Sequence, residues 1–270
     1  MSEFTSLATV TRSTSAAFFD LDRTLISGSS AFTLAIEARR IGLIPTTEFV
    51  KDALGAAAFK LFGASDDTTD EVRKRILAAV RGMEQADLVA LNAEVLPKLI
   101  DRVRPEAKRL LDRHRHASRD TFIVSAAPQE IVEPLALALG MTGGIGTRSA
   151  LSDGVYTGEL DGPFCYGPGK VEAMQELARW HGYDLEQSYA YSDSASDLPM
   201  LEAVGHPVAV NPDSTLERRA RVEGWPIVIF SQRTKSVVRR TLSTATAVGI
   251  GVAGFAAGRS TRPARSVFRR

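Results

Sequence analysis

The chain has 270 residues, of which 44% are hydrophobic and 24% are charged, and its formal net charge is +1. This is the composition of a globular protein, and the length is sufficient for a packed core and a second small domain. Its single cysteine excludes an intramolecular disulfide framework and suits a reducing compartment.

The charge is unevenly distributed. Residues 231–270 contain nine Lys or Arg and no acidic residue, so residues 1–230 carry a net charge of −8. An acidic body argues against nucleic-acid binding, which needs a basic face. The basic tail therefore needs an explanation of its own.

Short apolar runs alternate with helical patterns along most of the chain. Residues 1–15 are rich in Ser and Thr and are predicted to be a flexible lead-in. The predicted strands are 16–19, 121–124, 189–191, 207–210 and 227–230. Helical patterns follow at 105 onward, 168–180 and 197–204. This alternation predicts an α/β fold with a doubly wound, Rossmann-like parallel sheet, whose ligands bind at the carboxyl ends of the strands.

About a hundred residues separate the first two strands, although a parallel crossover needs only about a dozen. Apolar residues in this interval repeat at helical spacing, with a kink expected at Pro97. We therefore predict an all-helical cap over residues 30–104, inserted into a core of residues 16–29 and 105–232. Asp153-Gly154 predicts a hairpin turn farther along the chain.

Two carboxylates, Asp20 and Asp22, follow the first strand. Like charges about 4 Å apart repel by roughly 4 kcal/mol at an effective dielectric constant near 20, and a magnesium ion with hard oxygen ligands would offset this. One carboxylate can then attack phosphorus while the other exchanges a proton with the leaving oxygen. Taken alone, the same residues are equally compatible with an acidic turn.

Three further polar motifs narrow this choice. Ser125 follows the second strand and can bind a phosphoryl oxygen or cap a helix. Lys170 stands at the start of a helix, where it can neutralise a phosphoryl group. Asp193 and Asp197 follow a later strand, in positions suited to holding magnesium and the lysine.

In this order, the motifs resemble the haloacid-dehalogenase-type phosphohydrolase superfamily over roughly residues 16–231, and most of all its phosphoserine-phosphatase-like subgroup with a helical cap. The resemblance implies that Asp20 is the nucleophile that becomes an aspartyl-phosphate. It implies that Asp22 is the general acid and then the base that activates water. The implied supporting residues are Thr24 for the loop, Ser125 and Lys170 for the phosphoryl group, and Asp197 for Lys170 or a metal-bound water.

The resemblance also implies a Mg²⁺ cofactor. Its ligands would be the carboxylates of Asp20 and Asp193 and the backbone carbonyl of Asp22. The second aspartate of the first motif separates the phosphatases from the dehalogenases.

Two positions depart from the phosphoserine-phosphatase pattern. Ser29 stands where those enzymes have an acidic residue that reads the substrate's amino group. Ala126-Ala127-Pro128 replaces the two glycines found near the substrate carboxylate. We therefore expect phosphoserine to be a poor substrate. The four histidines, at positions 114, 116, 181 and 206, lack metal-site spacing and are expected at helix ends or on the surface.

The C-terminal segment Thr241 to Gly258 has 18 residues without a charge, flanked by basic residues. This length is near the lower limit for a membrane-spanning helix, but the composition equally fits a soluble tail. If the segment associates with a membrane, its basic flanks favour anionic lipid and a cytoplasmic catalytic body, attached to the inner face of the cell membrane.

These observations predict a magnesium-dependent phosphomonoesterase that acts on a small-molecule or lipid phosphate. A phosphotransferase or mutase with the same intermediate, and a regulator that binds a phosphorylated ligand without turnover, are the alternatives. The predicted partners are the phosphate substrate and, through the tail, an anionic membrane surface, with no nucleic acid. The sequence leaves the oligomeric state open.

Overall fold

The computed structural model describes residues 13–43 and 66–230. The chain divides into one unit of residues 1–229 and a second unit of residues 230–270, and Phe230 is the only residue of the second unit that is described. The predicted membrane-associated segment 241–258 lies outside the described residues. None of the helices within 13–43 and 66–230 combines the length and the apolar character needed to cross a bilayer.

The core is a sheet of parallel strands. Its strands are β1 (Ala16–Phe19), β2 (Asp120–Pro128), β3 (Gly143–Thr147), β6 (Tyr189–Ser192), β7 (His206–Val210) and β8 (Ile227–Val228). They lie in the order β3-β2-β1-β6-β7-β8, and every neighbouring pair is parallel. This confirms the predicted fold class and places β1 in the interior of the sheet. The last strand is two residues shorter than predicted, and the glycine-rich β3 was not predicted.

Two more strands, β4 (Ser149–Ser152) and β5 (Val155–Leu160), form an antiparallel hairpin around the predicted Asp153-Gly154 turn. The described helices are α1 (Ser30–Arg40), α2 (Asp66–Val80), α3 (Gln85–Ala90), α4 (Asn92–Ile100), α5 (Pro105–His116), α6 (Gln129–Ala138), α7 (Pro168–His181), α8 (Leu198–Glu202) and α9 (Ser214–Glu223).

The sheet has helices on both faces, because successive side chains of a strand point to opposite sides. On one face, Phe18 stacks on Phe122, and both belong to an apolar cluster that includes Met174 of α7. On the other face, the ring of Phe19 contacts the ring of His114 of α5. The sheet is therefore covered on both faces, as a doubly wound core requires.

Helices α1 to α4 occupy the described part of the predicted cap. Leu88 of α3 and Val95 and Leu99 of α4, which the helical spacing placed on one face, are buried. The helix is interrupted at Leu91, and α4 continues through Pro97. The proline removes only the bond to Ala93, which lies in the first turn. The boundaries of 30–104 as a separate domain stay a prediction.

The hairpin is attached to the chain segment between α2 and α3. The Gly82 amide donates to the Tyr156 carbonyl at 2.9 Å, and the Tyr156 amide donates to the Met83 carbonyl at 3.0 Å. These backbone bonds connect the helical region to the core at a point distant in sequence from the linkers at its two ends.

Candidate active site

The predicted site residues leave the sheet at the carboxyl ends of its adjoining strands. Asp20 follows β1, Asp193 follows β6, and the Asp20 amide still donates to the Tyr191 carbonyl at 2.9 Å. Ser125 differs from the prediction because it lies within β2. The pairing of β2 with β3 shifts register between Val124 and Pro128, so Ser125 begins an irregular part of the strand.

A buried ion cluster connects three of these residues. Lys170 Nζ lies 2.7 Å from Asp20 Oδ1 and 2.8 Å from Asp197 Oδ2. Burial alone would lower the pKa of Lys170, but the two carboxylates outweigh it and raise that pKa above its usual value. Lys170 therefore keeps its positive charge, which suits the phosphoryl-binding role predicted for it.

The position of Lys170 depends on a close approach at the start of α7. A Cβ atom added to Gly169 would lie 1.9 Å from the Phe164 carbonyl oxygen. Gly167, directly before the helix, has a φ of 53°, in the left-handed region that favours glycine. The two glycines thus let the loop fold tightly enough to bring Lys170 into the site.

Asp197 is held from its other side by Ser192, whose hydroxyl donates to Oδ2 at 2.7 Å. Ser192 was not among the predicted site residues, although a polar residue that ends a buried apolar strand is a detectable signal. With Ser192 and Lys170 both on Oδ2, the Asp197 carboxylate has a fixed orientation.

The nucleophile candidate Asp20 is buried. Burial raises its pKa to about 7, although the Lys170 ammonium opposes the rise. Lys170 is thus insufficient to offset the desolvation of Asp20, so a further cation beside this carboxylate would favour its charged form.

Asp22 lies in a different environment. Its Oδ1 accepts a hydrogen bond from the Ser30 amide at 2.7 Å, at the first turn of α1. Burial raises the pKa of Asp22, and the bond from Ser30 opposes the rise. A carboxyl group that retains its proton more readily than an exposed one is suited to donate that proton.

Asp193 is paired with Arg23, a residue of the first motif to which sequence analysis gave no role. Arg23 Nε lies 2.8 Å from Asp193 Oδ2, and the arginine side chain is 56% exposed. Burial raises the pKa of Asp193 to about 6, and Arg23 opposes the rise. A half-exposed arginine thus compensates a buried carboxylate incompletely.

The donor chemistry fits a hard cation such as Mg²⁺. Asp20 and Asp193 are buried carboxylates whose charges are incompletely compensated, and oxygen ligands are those that magnesium prefers. Within the described ranges, no three His, Cys, Asp or Glu side chains group around one point. A site here therefore needs an oxygen from another source, such as a backbone carbonyl.

Thr24 and Ser125 are the other two predicted site residues. Thr24 is buried, and its hydroxyl has no hydrogen-bond partner among residues 13–43 and 66–230. Ser125 is also buried, and its Oγ accepts from the Ala127 amide at 3.2 Å.

The loop after β6 is further fixed by Asp213, which accepts from the Ala195 amide and donates its own amide to the Asp193 carbonyl.

Ser29 and His114, which have no predicted catalytic role, also make defined hydrogen bonds. Ser29 is the N-cap of α1, and its hydroxyl accepts from the Phe32 amide. His114 lies in the last turn of α5 but is buried, with Nε2 2.8 Å from the Tyr191 hydroxyl and Nδ1 2.7 Å from Arg119 Nη1. The surface location considered for His114 was therefore wrong.

Comparison with known proteins identifies the family of this chain. The model of the haloacid dehalogenase-like hydrolase family matches residues 17–202. The match spans β1 to α8, including all of the candidate site residues. The chain belongs to this family.

Relatives of this chain include named phosphatases. A probable phosphatase of Mycobacterium tuberculosis strain H37Rv is 40% identical over 255 residues, which cover 93% of this chain and 88% of that protein. A phosphoserine phosphatase of the same strain is 36% identical, covering 90% and 79%. A histidinol-phosphatase of Neisseria meningitidis serogroup C is 31% identical, covering 79% and 98%. The protein is an enzyme, a phosphatase that hydrolyses phosphoric monoesters.

A solved structure has the same fold. The protein with unknown function from Bordetella pertussis Tohama I has a TM-score of 0.70 and 28% sequence identity, covering 80% of this chain and 99% of that chain.

Proposed function

We propose that this enzyme hydrolyses small-molecule phosphate monoesters through an aspartyl-phosphate intermediate on Asp20, with Mg²⁺ as cofactor. The observation that carries the proposal is the buried cluster in which Lys170 contacts both Asp20 and Asp197. A lysine that stays charged beside a buried carboxylate can orient that carboxylate and neutralise the phosphoryl group that it attacks.

In the first step, a carboxylate oxygen of Asp20 attacks phosphorus, and the bond from phosphorus to the leaving oxygen breaks. The carboxyl group of Asp22 gives its proton to that oxygen, so the alcohol leaves neutral. In the second step, the Asp22 carboxylate takes a proton from a water molecule, which attacks phosphorus. The bond from phosphorus to the Asp20 oxygen breaks, so inorganic phosphate is released, Asp20 is again a carboxylate and Asp22 again carries its proton.

The metal would be held by the carboxylates of Asp20 and Asp193 and, by family resemblance, by the backbone carbonyl of Asp22. When bound, it would supply positive charge beside the transferring phosphoryl group. Ser125 and Lys170 would bind phosphoryl oxygens, Thr24 would support the loop, and Asp197 would keep Lys170 in place.

The proposed substrate class is a phosphate ester of a small aliphatic alcohol. Support comes from two relatives that are named for phosphoserine and histidinol phosphate. Because Ser29 is a helix cap and has no negative charge, we expect phosphoserine itself to be about ten- to a hundredfold less efficient than the best substrate. A panel of metabolite phosphates tests this, and phosphoserine as the best substrate would overturn it.

The experiment that tests the chemistry measures phosphate release from 4-nitrophenyl phosphate with chelator, with Mg²⁺ and with Ca²⁺. We expect activity with Mg²⁺ alone, because Ca²⁺ prefers more ligands at longer distances. D20N should be inactive, and D112N, which changes an exposed aspartate of α5, should be active. Full activity after exhaustive chelation would refute the metal dependence.

Transfer of the phosphoryl group to an acceptor other than water uses the same residues. It is distinguished by comparing released alcohol with released phosphate as an acceptor alcohol is added. Hydrolysis gives equal amounts of the two products at every acceptor concentration, whereas transfer gives an excess of alcohol.

A further inference from the structure

Arg102 lies in the second linker between the helical region and the core, just after α4. Its Nε donates to the Ser27 carbonyl at 2.8 Å, and its Nη1 donates to the Ser29 carbonyl at 3.3 Å. The Ser27 amide donates back to the Arg102 carbonyl at 2.9 Å. Arg102 thus binds both ends of the loop 27–29, which is part of the first linker.

The same loop determines the position of Asp22. The Gly28 carbonyl accepts from the Arg23 amide at 3.1 Å, next to Asp22 in the chain. The loop leads directly into α1, whose Ser30 amide donates to Asp22 Oδ1 at 2.7 Å. A shift of this loop would therefore move the amide that orients the Asp22 carboxyl group.

Gly28 shows that the loop and Arg102 fit closely. Its φ is +91°, and a Cβ added there would lie 2.1 Å from Arg102 Nη2. The guanidinium also contacts the hydroxyl of the buried Thr33 in α1. Since the planar guanidinium contacts three groups of one loop and helix start, a point charge such as lysine cannot reproduce the arrangement.

We propose that Arg102 is a positioning residue for Asp22. Through the loop 27–29, Arg102 holds the proton donor in line with the leaving oxygen. The position of Asp22 thereby depends on the second linker between the helical region and the core. The proposal rests on the proposed function, in which Asp22 is the general acid. Proton donation matters most for a poor leaving group, so a displaced Asp22 has a kinetic signature that a general loss of structure lacks.

The test compares kcat/KM for phenyl phosphate and 4-nitrophenyl phosphate, which are similar in size but differ in leaving-group ability. We expect R102A to lower the ratio of phenyl to 4-nitrophenyl kcat/KM by about tenfold, because a misplacement of about 1 Å can cost up to about a hundredfold in rate. R102K should recover the ratio only in part. The matched control is R40A. Arg40 lies in the same helical region and pairs with Glu37, so R40A should keep the wild-type ratio.

A double variant separates positioning from other effects. In the D22N background, R102A should leave the ratio unchanged, because no proton donor remains to be misplaced. R102K provides a second route, since it keeps a cation at position 102 but cannot reproduce the forked contacts of the guanidinium. It decides the question if R102A proves unfolded by circular dichroism.

An equal fall for both substrates in R102A, or the same change of ratio in the D22N background, would overturn the proposal. A wild-type enzyme that releases phosphate from neither substrate would instead refute the proposed function.

Discussion

The side-chain amide of Asn92 donates to the backbone carbonyl of Glu130 at 2.7 Å. Glu130 is in the first turn of α6, and the residue four positions later is Pro134, which has no amide hydrogen to give. Asn92, at the start of α4, supplies the missing donor. A helix of the predicted cap thus completes the hydrogen bonding of a helix of the core.

This relationship predicts that N92A lowers the free energy of unfolding by about 1 kcal/mol, because it leaves a partly buried carbonyl without a donor. Q85A is the matched control, since Gln85 contacts the side chain of the same Glu130 at 3.1 Å and water can replace that bond. Urea denaturation of both variants measures the difference. Equal losses, or none in N92A, would show that the carbonyl is satisfied in another way.

For D20N, we predict that activity falls by about three orders of magnitude or more while stability changes by less than about 1 kcal/mol. The asparagine amide has nearly the same shape as the carboxylate but is a poor nucleophile. Its oxygen can still accept a hydrogen bond from Lys170, and the ion pair between Lys170 and Asp197 is retained. Single-turnover assays and thermal unfolding provide the two measurements. Residual activity within tenfold of wild type would remove Asp20 as the nucleophile.

K170M should affect both properties. It leaves two buried carboxylates, Asp20 and Asp197, without their shared cation, so we expect a loss of about 3–5 kcal/mol in unfolding free energy. The control K98M removes a lysine whose side chain is 45% exposed and which pairs with Glu37. Glu37 is still paired with Arg40 in this variant, so the loss in unfolding free energy should be less than about 1 kcal/mol. Similar melting temperatures for the two variants would contradict the burial argument.

His114 predicts a pH dependence of stability. Burial, together with Arg119, lowers its pKa from 6.5 to about 4. Arginine only donates, so Nδ1 is the acceptor and Nε2 carries the proton donated to the Tyr191 hydroxyl. Between pH 6.5 and 4 the unfolded chain binds a proton that the folded chain rejects, so this stability is complete above pH 6.5 and is lost as the pH falls to 4.

The lowered pKa of His114 corresponds to about 3 kcal/mol in the free energy of unfolding. This contribution is measured by comparing wild type with H114Q, which lacks the titrating group but keeps the other acids and bases. The stability advantage of wild type over H114Q should shrink as the pH is lowered from 7.5 to 4.5, as measured by urea denaturation at each pH. A constant difference across this range would mean that the pKa of His114 is the same in the folded and the unfolded protein.

The tail prediction concerns residues outside those described. If the segment 241–258 and its nine basic neighbours hold the enzyme on anionic lipid, the full chain should sediment with vesicles that contain phosphatidylserine at low salt. A chain ending at Gln232 should stay in the supernatant. Each basic residue contributes about 1 kcal/mol near such a surface. Identical behaviour of the two chains would remove the membrane surface as a partner and, with it, the main reason to favour a lipid phosphate.

Sequence patterns predicted the parts of this molecule that depend on local chemistry. The carboxylates after β1 and β6 and the lysine at the start of α7 were predicted because strand ends and helix starts carry strong local signals. Ser125 was predicted as a site residue but placed after its strand, because a register shift depends on pairing with β3. That strand was missed because its glycine-rich sequence lacks β-propensity.

Other features depend on contacts between residues far apart in sequence, which no local pattern reports. The contacts of Arg102 with Ser27 and Ser29 span more than seventy positions. The burial of His114 depends on Tyr191 in β6, also more than seventy positions away. No local pattern singled out Arg102, and His114 was expected at a helix end or on the surface.

The interior position of β1 has a consequence for how the enzyme moves. With β2 on one side and β6 on the other, β1 cannot exchange its amide hydrogens until the sheet itself opens. Deuterium uptake at residues 17–20 should therefore be among the slowest in the chain and should report global unfolding. The residue proposed to carry the phosphoryl group follows directly from this strand, so fluctuations that admit substrate and release product must occur in the loops and helices around a stationary carboxylate.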